Sequence, residues 1–177
     1  MRSPVVTLSP AKQQLAEWTA ERRVRNVVER GMRPVNGEPM DRDSLMRHHL
    51  RGARGELAAK LWLDPIDWNT LDMNETDLGG IIDVKAVERP TDRLLINKDR
   101  ARAGWAYLLA RGHDHPTWTM AGWIDGGSAM REPQWIETPS WGACIVVPNA
   151  ALAPVRELWD YVERWLPADR LAKERAS

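Results

Sequence analysis

The sequence has a single cysteine, no phenylalanine, no net charge and no long apolar run. Because Cys144 has no second cysteine to pair with, a disulfide within the chain is excluded and a reducing compartment is expected. The first residues, MRSPVVTLSPAKQQ, lack the apolar stretch of a signal peptide, and no later run approaches the roughly 18 apolar residues of a membrane helix. These absences predict a cytoplasmic protein without a membrane partner.

The zero net charge gives no support to nucleic-acid binding, but the charges are unevenly distributed. Residues 1–54 carry 11 Lys or Arg against 6 Asp or Glu, and the remainder carries 14 against 19. Such an asymmetry fits a basic arm beside an acidic metal site, and it also arises on solvated helix faces. Charge alone therefore leaves both interpretations open.

What is present is the composition of a globular protein: 177 residues, of which 43% are apolar and 28% charged. This size predicts one domain. We divide it into an N-terminal helical arm (1–42), a core (43–167) and a frayed tail (168–177). The 10 Trp residues predict a core rich in indoles, whose buried N–H groups need hydrogen-bond partners.

A first helix is predicted over residues 10–30, where Ser9 and Pro10 form a start signal. Its polar side carries four arginines, namely Arg22, Arg23, Arg25 and Arg30. These arginines form either a solvated surface or a set of phosphate contacts.

A second helix, capped by Asp43 or Ser44, is predicted from apolar residues that recur at steps of three and four. These residues are Met46, Leu50, Ala53, Leu57 and Leu61. Glu56 lies at the edge of this buried stripe and can point toward a sheet. Gly52 and Gly55 weaken the helix by about 1 kcal/mol each relative to Ala, which indicates close approach to a strand or a ligand.

Short β-rich segments separated by turn residues follow from Asp77 onward. They span residues 81–87, 93–97, 105–110, 117–124 and 143–147. The segment 105–110 is ambiguous, because the residues before it also fit a helix start. An amphipathic helix that ends at Pro167 closes the chain. The pattern predicts an α/β (α+β) fold in which two N-terminal helices pack on a mixed central sheet and the C-terminal helix covers one face.

The candidate active site consists of Glu56, Asp77, Asp83 and Lys85. Asp83 and Lys85 share one face of a strand, because residues two apart project to the same side. Asp77 precedes them across the Gly79–Gly80 pair, a short connection that can bring a second carboxylate to the same end of the sheet. Glu56 adds a third carboxylate from the packed helix.

Three converging carboxylates repel one another unless a divalent cation neutralises them, and oxygen ligands select Mg²⁺ or Mn²⁺. The predicted metal ligands are Asp77, Asp83 and Glu56, with the Val84 carbonyl as a further candidate. Such a cation favours attack of water on a phosphodiester, while Lys85 orients that water or stabilises the transition state. The sequence thus predicts phosphodiester hydrolysis.

The order Glu56, Asp77, then Asp83-Val84-Lys85 in an apolar strand resembles the PD-(D/E)XK nuclease superfamily. Two departures are Thr76 in place of the motif's proline and Asp83 in place of the commoner glutamate. The resemblance implies a restriction-endonuclease-like core, with the three carboxylates as metal ligands and Lys85 as a catalytic residue.

The same resemblance extends, through residues 122–135 and 145–152, to a group of small phage or prophage proteins. It implies a bacterial or phage-infected cell and nucleic acid as the partner, DNA before RNA. It also allows a homodimer, since many nucleases of this fold act as dimers.

Each candidate also has a structural interpretation. Asp83 and Lys85 can form a pair on a solvated strand, and Asp77 is an ordinary turn residue. Glu56 and Lys60 can form an i,i+4 pair on an exposed helix. The chain is then a catalytically inactive nucleic-acid-binding protein of the same fold, or a phage accessory protein whose exposed Trp residues bind a protein partner.

Basic and aromatic residues follow the Asp83 strand. Arg89, Arg93, Lys98 and Arg100 are candidate nucleic-acid contacts. Trp105 and Trp123 are either stacking surfaces for bases or, more simply, core residues.

Two pairs of histidines are further candidates. His48 and His49 lie on the Glu56 helix, where His49 can approach the site but adjacent rings are not expected to face it together. An exposed or core-edge imidazole is the simpler interpretation of each. His113 and His115 have a spacing that can hold a metal, but no further Cys or His lies nearby.

Overall fold

Two long helices precede most of the strands in a computed structural model that describes residues 3–29, 41–64, 68, 76–112, 116–137 and 142–165. The helices are α1 (Pro10–Glu29), α2 (Arg42–Trp62), α3 (Gly126–Met130) and α4 (Leu158–Trp165). The strands are β1 (Val5–Thr7), β2 (Ile82–Val87), β3 (Leu94–Asn97), β4 (Ala106–Gly112), β5 (Thr117–Asp125), β6 (Ile136–Glu137) and β7 (Cys144–Val147).

The described strands form two sheets. The larger sheet has the order β1-β5-β4-β2, in which β2 runs parallel to β4 and the other neighbours are antiparallel. This confirms the predicted mixed sheet. A second, antiparallel sheet of order β3-β7-β6 was not predicted.

Strand β4 resolves the ambiguity of residues 105–110 in favour of a strand. It lies between β2 and β5, and both of its faces are covered. Leu108 packs toward the helices, whereas Tyr107 and Leu109 pack toward the small sheet. A strand buried on both faces has a nearly continuous apolar sequence, which is why periodicity alone does not distinguish it from a helix.

Helices α1, α2 and α4 lie on the opposite face of the larger sheet from the small sheet, whereas Ala129 of α3 packs on the side of the small sheet. Helix α2 packs on β2 and β4, and α1 packs on α2. Leu158 and Val162 of α4 join the same core as Leu57 and Ala58 of α2. The predicted packing of helices on a mixed sheet is therefore confirmed, as an α/β architecture.

Helix α2 begins earlier than predicted. Its N-cap is Asp41, whose Oδ1 accepts the Ser44 N–H at 2.8 Å, so Arg42 is already helical. The prediction of Asp43 or Ser44 as the cap is wrong, because the aspartate three residues before Ser44 is placed to bind its N–H. The residues at which the first and last helices are predicted to end, 30 and Pro167, lie outside the described residues. The predicted tail 168–177 lies outside them as well.

Gly55 lets α2 approach β2 closely. A Cβ on this residue would lie 2.6 Å from the Ala86 Cβ and 3.3 Å from the Trp118 ring. The glycine that weakens the helix thus permits close contact between helix and strand, which fixes Glu56 at the edge of β2.

No helix in the described part of the chain is both long and apolar enough to cross a membrane.

Candidate active site

Strand β2 is an edge strand of the larger sheet and carries two charged side chains on one face. Val84 is buried in the core beneath the helices, while Asp83 and Lys85 project to the other side. The Lys85 Nζ lies 2.7 Å from the Asp83 Oδ1, with the two side chains 34% and 17% exposed. The structure therefore brings a carboxylate and an ammonium group into direct contact beside the sheet edge.

A tight turn brings Asp77 to the same place. Leu78 and Ile82 exchange two backbone hydrogen bonds of 3.0 Å. Gly79 and Gly80 make this turn possible, because their φ angles of 57° and 77° are readily adopted only without a side chain. The Asp77 Oδ2 accepts the Val84 N–H at 2.6 Å.

The three carboxylates influence one another electrostatically. Burial raises the pKa of Asp77 well above its usual value, and the nearby charges of Glu56 and Asp83 raise it further. A carboxyl group in this position is easier to ionise when additional positive charge is present.

Glu56 reaches this cluster from α2, but both of its oxygens are already engaged. Arg23 Nη1 donates to Glu56 Oε1 and Arg23 Nη2 to Oε2, each at 2.7 Å. Trp68 Nε1 donates to Oε2 at 3.0 Å. Glu56 is only 4% exposed and Arg23 is 7% exposed. The contact is therefore a buried, bidentate ion pair between α1 and α2.

This pairing corrects two expectations. Arg23 does not belong to a solvated face of α1, because the Glu56 carboxylate holds it inside the protein. Glu56 does not pair with Lys60, whose Nζ instead binds Asp64 at 3.0 Å. Of the neighbouring arginines, Arg22 lies over the Trp18 ring at 4.6 Å.

The Lys85 ammonium group is stabilised in its charged form. Burial lowers the pKa of Lys85, but the adjacent Asp83 and the nearby Asp77 more than offset this effect, and the net result is a raised pKa. Lys85 is therefore a hydrogen-bond donor and a positive charge at neutral pH, and does not act as a proton acceptor.

All four predicted site residues line one groove of about 1010 Å³ beside the edge of β2. The cationic side chains that line it are Arg23, Arg51, Lys85, Arg93, Arg100 and Arg102, and the acidic ones are Glu56, Asp77, Asp83 and Asp92. Because cationic side chains outnumber acidic ones in this groove, it can attract an anionic ligand, although it also contains carboxylates.

The predicted nucleic-acid contacts separate into two groups. Arg93 lines the groove and also binds Glu137 at 3.2 Å. Arg89 and Lys98 are exposed but are not among the lining residues. Arg100 is exposed and also lines the groove. Of these four predictions, Arg93 and Arg100 lie where a ligand in the groove would meet them.

The two tryptophans predicted as stacking surfaces or core residues differ in position. Trp105 packs against the core beneath the small sheet, as expected of a core residue, and also lines the groove. Trp123 is buried, with its Nε1 donating to the Pro154 carbonyl at 3.2 Å, as expected of a core indole.

Both His48 and His49 line the groove, contrary to expectation. Their rings meet edge to face with centroids 5.7 Å apart. The groove is wide enough to reach both, because His48 is exposed at its rim and His49 is buried beside Arg23. His113 and His115 lie outside the described residues.

The sequence left Arg23 open between a solvated surface and a phosphate contact, and it did not indicate Arg51 as a groove residue. Arg23 belongs to a run of arginines on α1 that any exposed helix can carry, and its partner lies 33 positions away. No local signal distinguishes it from its neighbours. Arg51 had a usable signal, since it lies one residue before Gly52 on the Glu56 helix.

The three carboxylates are candidates for holding a divalent cation. Among the described residues, no group of three His, Cys, Asp or Glu side chains is arranged to hold a metal ion. Glu56 is occupied by Arg23 and Trp68, whereas Asp77 and Asp83 flank the Val84 peptide with oxygen donors of the kind that Mg²⁺ and Mn²⁺ prefer. The donor chemistry of these two aspartates fits the ion, and the ligand role predicted for Glu56 stays a prediction.

No protein-family model matches this chain, and neither a curated protein nor a solved structure matches it.

Proposed function

We propose that this chain is a metal-dependent nuclease that hydrolyses phosphodiester bonds in DNA. One observation carries the proposal: Lys85 and Asp83 are in contact at 2.7 Å on a groove wall, and Asp77 is held beside them by the Val84 N–H. An ammonium group next to two carboxylates, within a groove rich in arginines, combines charges for both a cation and a phosphate.

The residues that would hold Mg²⁺ or Mn²⁺ are Asp77 and Asp83, with the Val84 carbonyl as a further candidate. When bound, the cation would supply positive charge beside the scissile phosphate and would lower the pKa of water. The raised pKa of Asp77, caused by burial and by the charges of Glu56 and Asp83, supports this assignment, because positive charge at this point relieves the repulsion among the carboxylates.

The chain's own cations have separate tasks in this proposal. Lys85, charged and held by Asp83, donates a hydrogen bond to the attacking water or to a phosphate oxygen as negative charge develops there. Arg23 presents its guanidinium at the groove, and Glu56 fixes the orientation of that guanidinium. Glu56 therefore acts at least as a positioning residue.

A restriction-endonuclease-like core is part of the same proposal. It is supported by the order of α2, the Asp77 turn and β2, and by the mixed sheet on which α2 packs. Nucleic acid as partner is supported by the groove's arginines, while the choice of DNA over RNA and a homodimer rest on the family resemblance alone.

A catalytically inactive nucleic-acid-binding protein is the second candidate. It is favoured by the pairing of Glu56 with Arg23 and of Asp83 with Lys85, because each of these acids already has a cationic partner. Such a protein keeps the basic groove and needs no divalent cation.

Cleavage of end-labelled single-stranded and duplex DNA and RNA, with Mg²⁺, Mn²⁺ or EDTA, tests the proposal. We expect cleavage of DNA that requires a divalent cation and that Asp83→Asn removes. Asp99→Asn is the matched control, since Asp99 is exposed and is not among the groove residues. Binding of the probes without any cleavage in Mg²⁺ or Mn²⁺ would favour the inactive binding protein.

A further inference from the structure

A second cavity, of about 430 Å³, lies on α2 next to the groove. Arg47, Arg51 and Arg54 line it from one side of the helix, at positions i, i+4 and i+7. With a rise of roughly 1.5 Å per residue, these three guanidinium groups are distributed over about 10 Å of helix. Glu88 is the only acid among the described residues that line the cavity.

Arg47 and Arg51 make longer side-chain contacts than Arg23 does. Arg47 Nη2 donates to the Ser44 hydroxyl at 2.9 Å. Arg51 Nη1 lies 3.8 Å from Glu88 Oε2, and Arg54 Nη2 lies 3.4 Å from Glu17 Oε1. The Arg51 side chain is 34% exposed and that of Arg54 is 14% exposed. A long contact to a half-exposed carboxylate is weak, so Arg51 can donate to a ligand that enters the cavity.

The cavity and the groove share two lining residues. His48 and Arg51 line both of them, and Arg51 Nη2 contacts the His48 Nδ1 at 3.2 Å. These two side chains therefore lie at the boundary between the stripe and the groove. A strand bound in the groove can thus continue onto the stripe past Arg51.

We propose that Arg47, Arg51 and Arg54 form a phosphate-binding track for the part of a nucleic-acid strand that lies beyond the scissile bond. This inference rests on the proposed function, since it takes nucleic acid to be the ligand of the groove. Three cations in a row match the repeated phosphates of a strand, whereas one small anion needs only one or two of them. The track reads no sequence, because guanidinium groups that contact phosphates fix the position of a strand but not its bases.

The test measures how tightly the full chain binds fluorescein-labelled single-stranded and duplex DNA in EDTA. Fluorescence anisotropy gives the binding constant K at each of several NaCl concentrations. Each lost phosphate contact lowers the slope of log K against log salt by about 0.7 for a single strand or about 0.9 for a duplex. We expect Arg51→Gln to weaken binding several-fold and to reduce the magnitude of the slope by the amount that corresponds to about one phosphate contact. The double variant Arg47→Gln, Arg51→Gln is expected to reduce it by about two contacts.

Arg131→Gln is the matched control, because Arg131 is exposed and lines neither cavity. We expect it to leave both the affinity and the slope unchanged. Thermal unfolding verifies that each variant is folded. A folded double variant with the affinity and slope of the unmodified chain would overturn the track, as would the absence of binding to either probe at low salt.

The same proteins separate this inference from the proposed function. Lys85→Ala is expected to lose cleavage in Mg²⁺, whereas Arg131→Gln is expected to keep both cleavage and the slope of the unmodified chain. If no metal supports cleavage but Arg51→Gln still lowers the slope, the nuclease proposal fails and the track stands. If cleavage is intact and the slope does not change, the track fails and the nuclease proposal stands.

Discussion

Arg23 and Glu56 join α1 to α2 through two hydrogen bonds of 2.7 Å between a guanidinium group and a carboxylate that are both buried. The carboxylate lies at the candidate active site, so the same contact links the packing of the first helix to the chemistry of the groove. Removing one partner leaves an uncompensated charge inside the protein, which destabilises it far more than the loss of a surface pair.

We therefore expect Arg23→Met to lower the free energy of unfolding by about 3–5 kcal/mol. Urea denaturation measures this change. Lys60→Met is the control, because Lys60 pairs with the exposed Asp64, and the loss of such a pair changes stability by less than about 1 kcal/mol. Equal effects of the two substitutions would show that the Arg23 pair is not isolated from solvent.

The close approach of α2 to β2 predicts a difference between two glycines of the same helix. In Gly55→Ala the new methyl group meets the Ala86 Cβ at 2.6 Å, and such overpacking destabilises a protein by about 1–3 kcal/mol. In Gly52→Ala the nearest atom, Glu56 Oε1, is 3.5 Å away, so the better helix propensity of alanine adds up to about 1 kcal/mol of stability. Thermal unfolding of both variants gives the comparison, and a destabilised Gly52→Ala beside a neutral Gly55→Ala would contradict this packing.

Measuring the metal affinity of two variants distinguishes a direct ligand from a positioning residue. Asp77→Asn keeps an oxygen to accept the Val84 N–H but removes the charge, so we expect calorimetry with Mn²⁺ to detect no binding. Glu56→Gln is expected to weaken binding by about 10–100-fold, the effect of a group that acts through its neighbours. A loss as complete as that of Asp77→Asn would make Glu56 a direct ligand, as the sequence predicts.

His49 contributes stability that is lost in mild acid. Burial lowers the pKa of His49 from 6.5 to about 4, and the charges of His48 and Arg23 contribute to the shift. Between these two pH values the unfolded chain binds a proton that the folded chain does not, so the stabilisation is complete above pH 6.5 and decreases as the pH falls.

From pH 7 to pH 5 we expect a loss of about 1–2 kcal/mol in the free energy of unfolding from this residue. Urea denaturation at several pH values measures it. His49→Gln should flatten the profile over this range, since glutamine does not titrate. An unchanged pH dependence in that variant would assign the acid sensitivity to other groups.

Local patterns in the sequence predict much of the secondary structure, because the information lies within each segment. The limits of α1 and of β2, β3, β5 and β7 agree with prediction to within about one residue where they are described. The contact of Asp83 with Lys85 follows from strand alternation, and the position of Asp77 follows from the two glycines after it.

The features that the sequence did not predict depend on pairing across the chain. Strand β1 has only three residues and is defined by its pairing with β5, while β3 belongs to a separate sheet because it pairs with β7. Arg23 is buried because Glu56 lies opposite it in the folded chain. In each case the deciding partner is distant in sequence, and a single sequence does not identify it.

Cleavage by Lys85→Ala tests the central claim most directly. The rate of cleavage of DNA in Mg²⁺ under single-turnover conditions is compared with that of the unmodified chain and of Lys60→Ala, a variant of a lysine that does not line the groove. We predict that Lys85→Ala lowers the rate by about 10²–10³-fold, the effect of removing one donor to a developing oxyanion, and that Lys60→Ala leaves it unchanged. A folded Lys85→Ala protein that cleaves as fast as the unmodified chain would contradict the account.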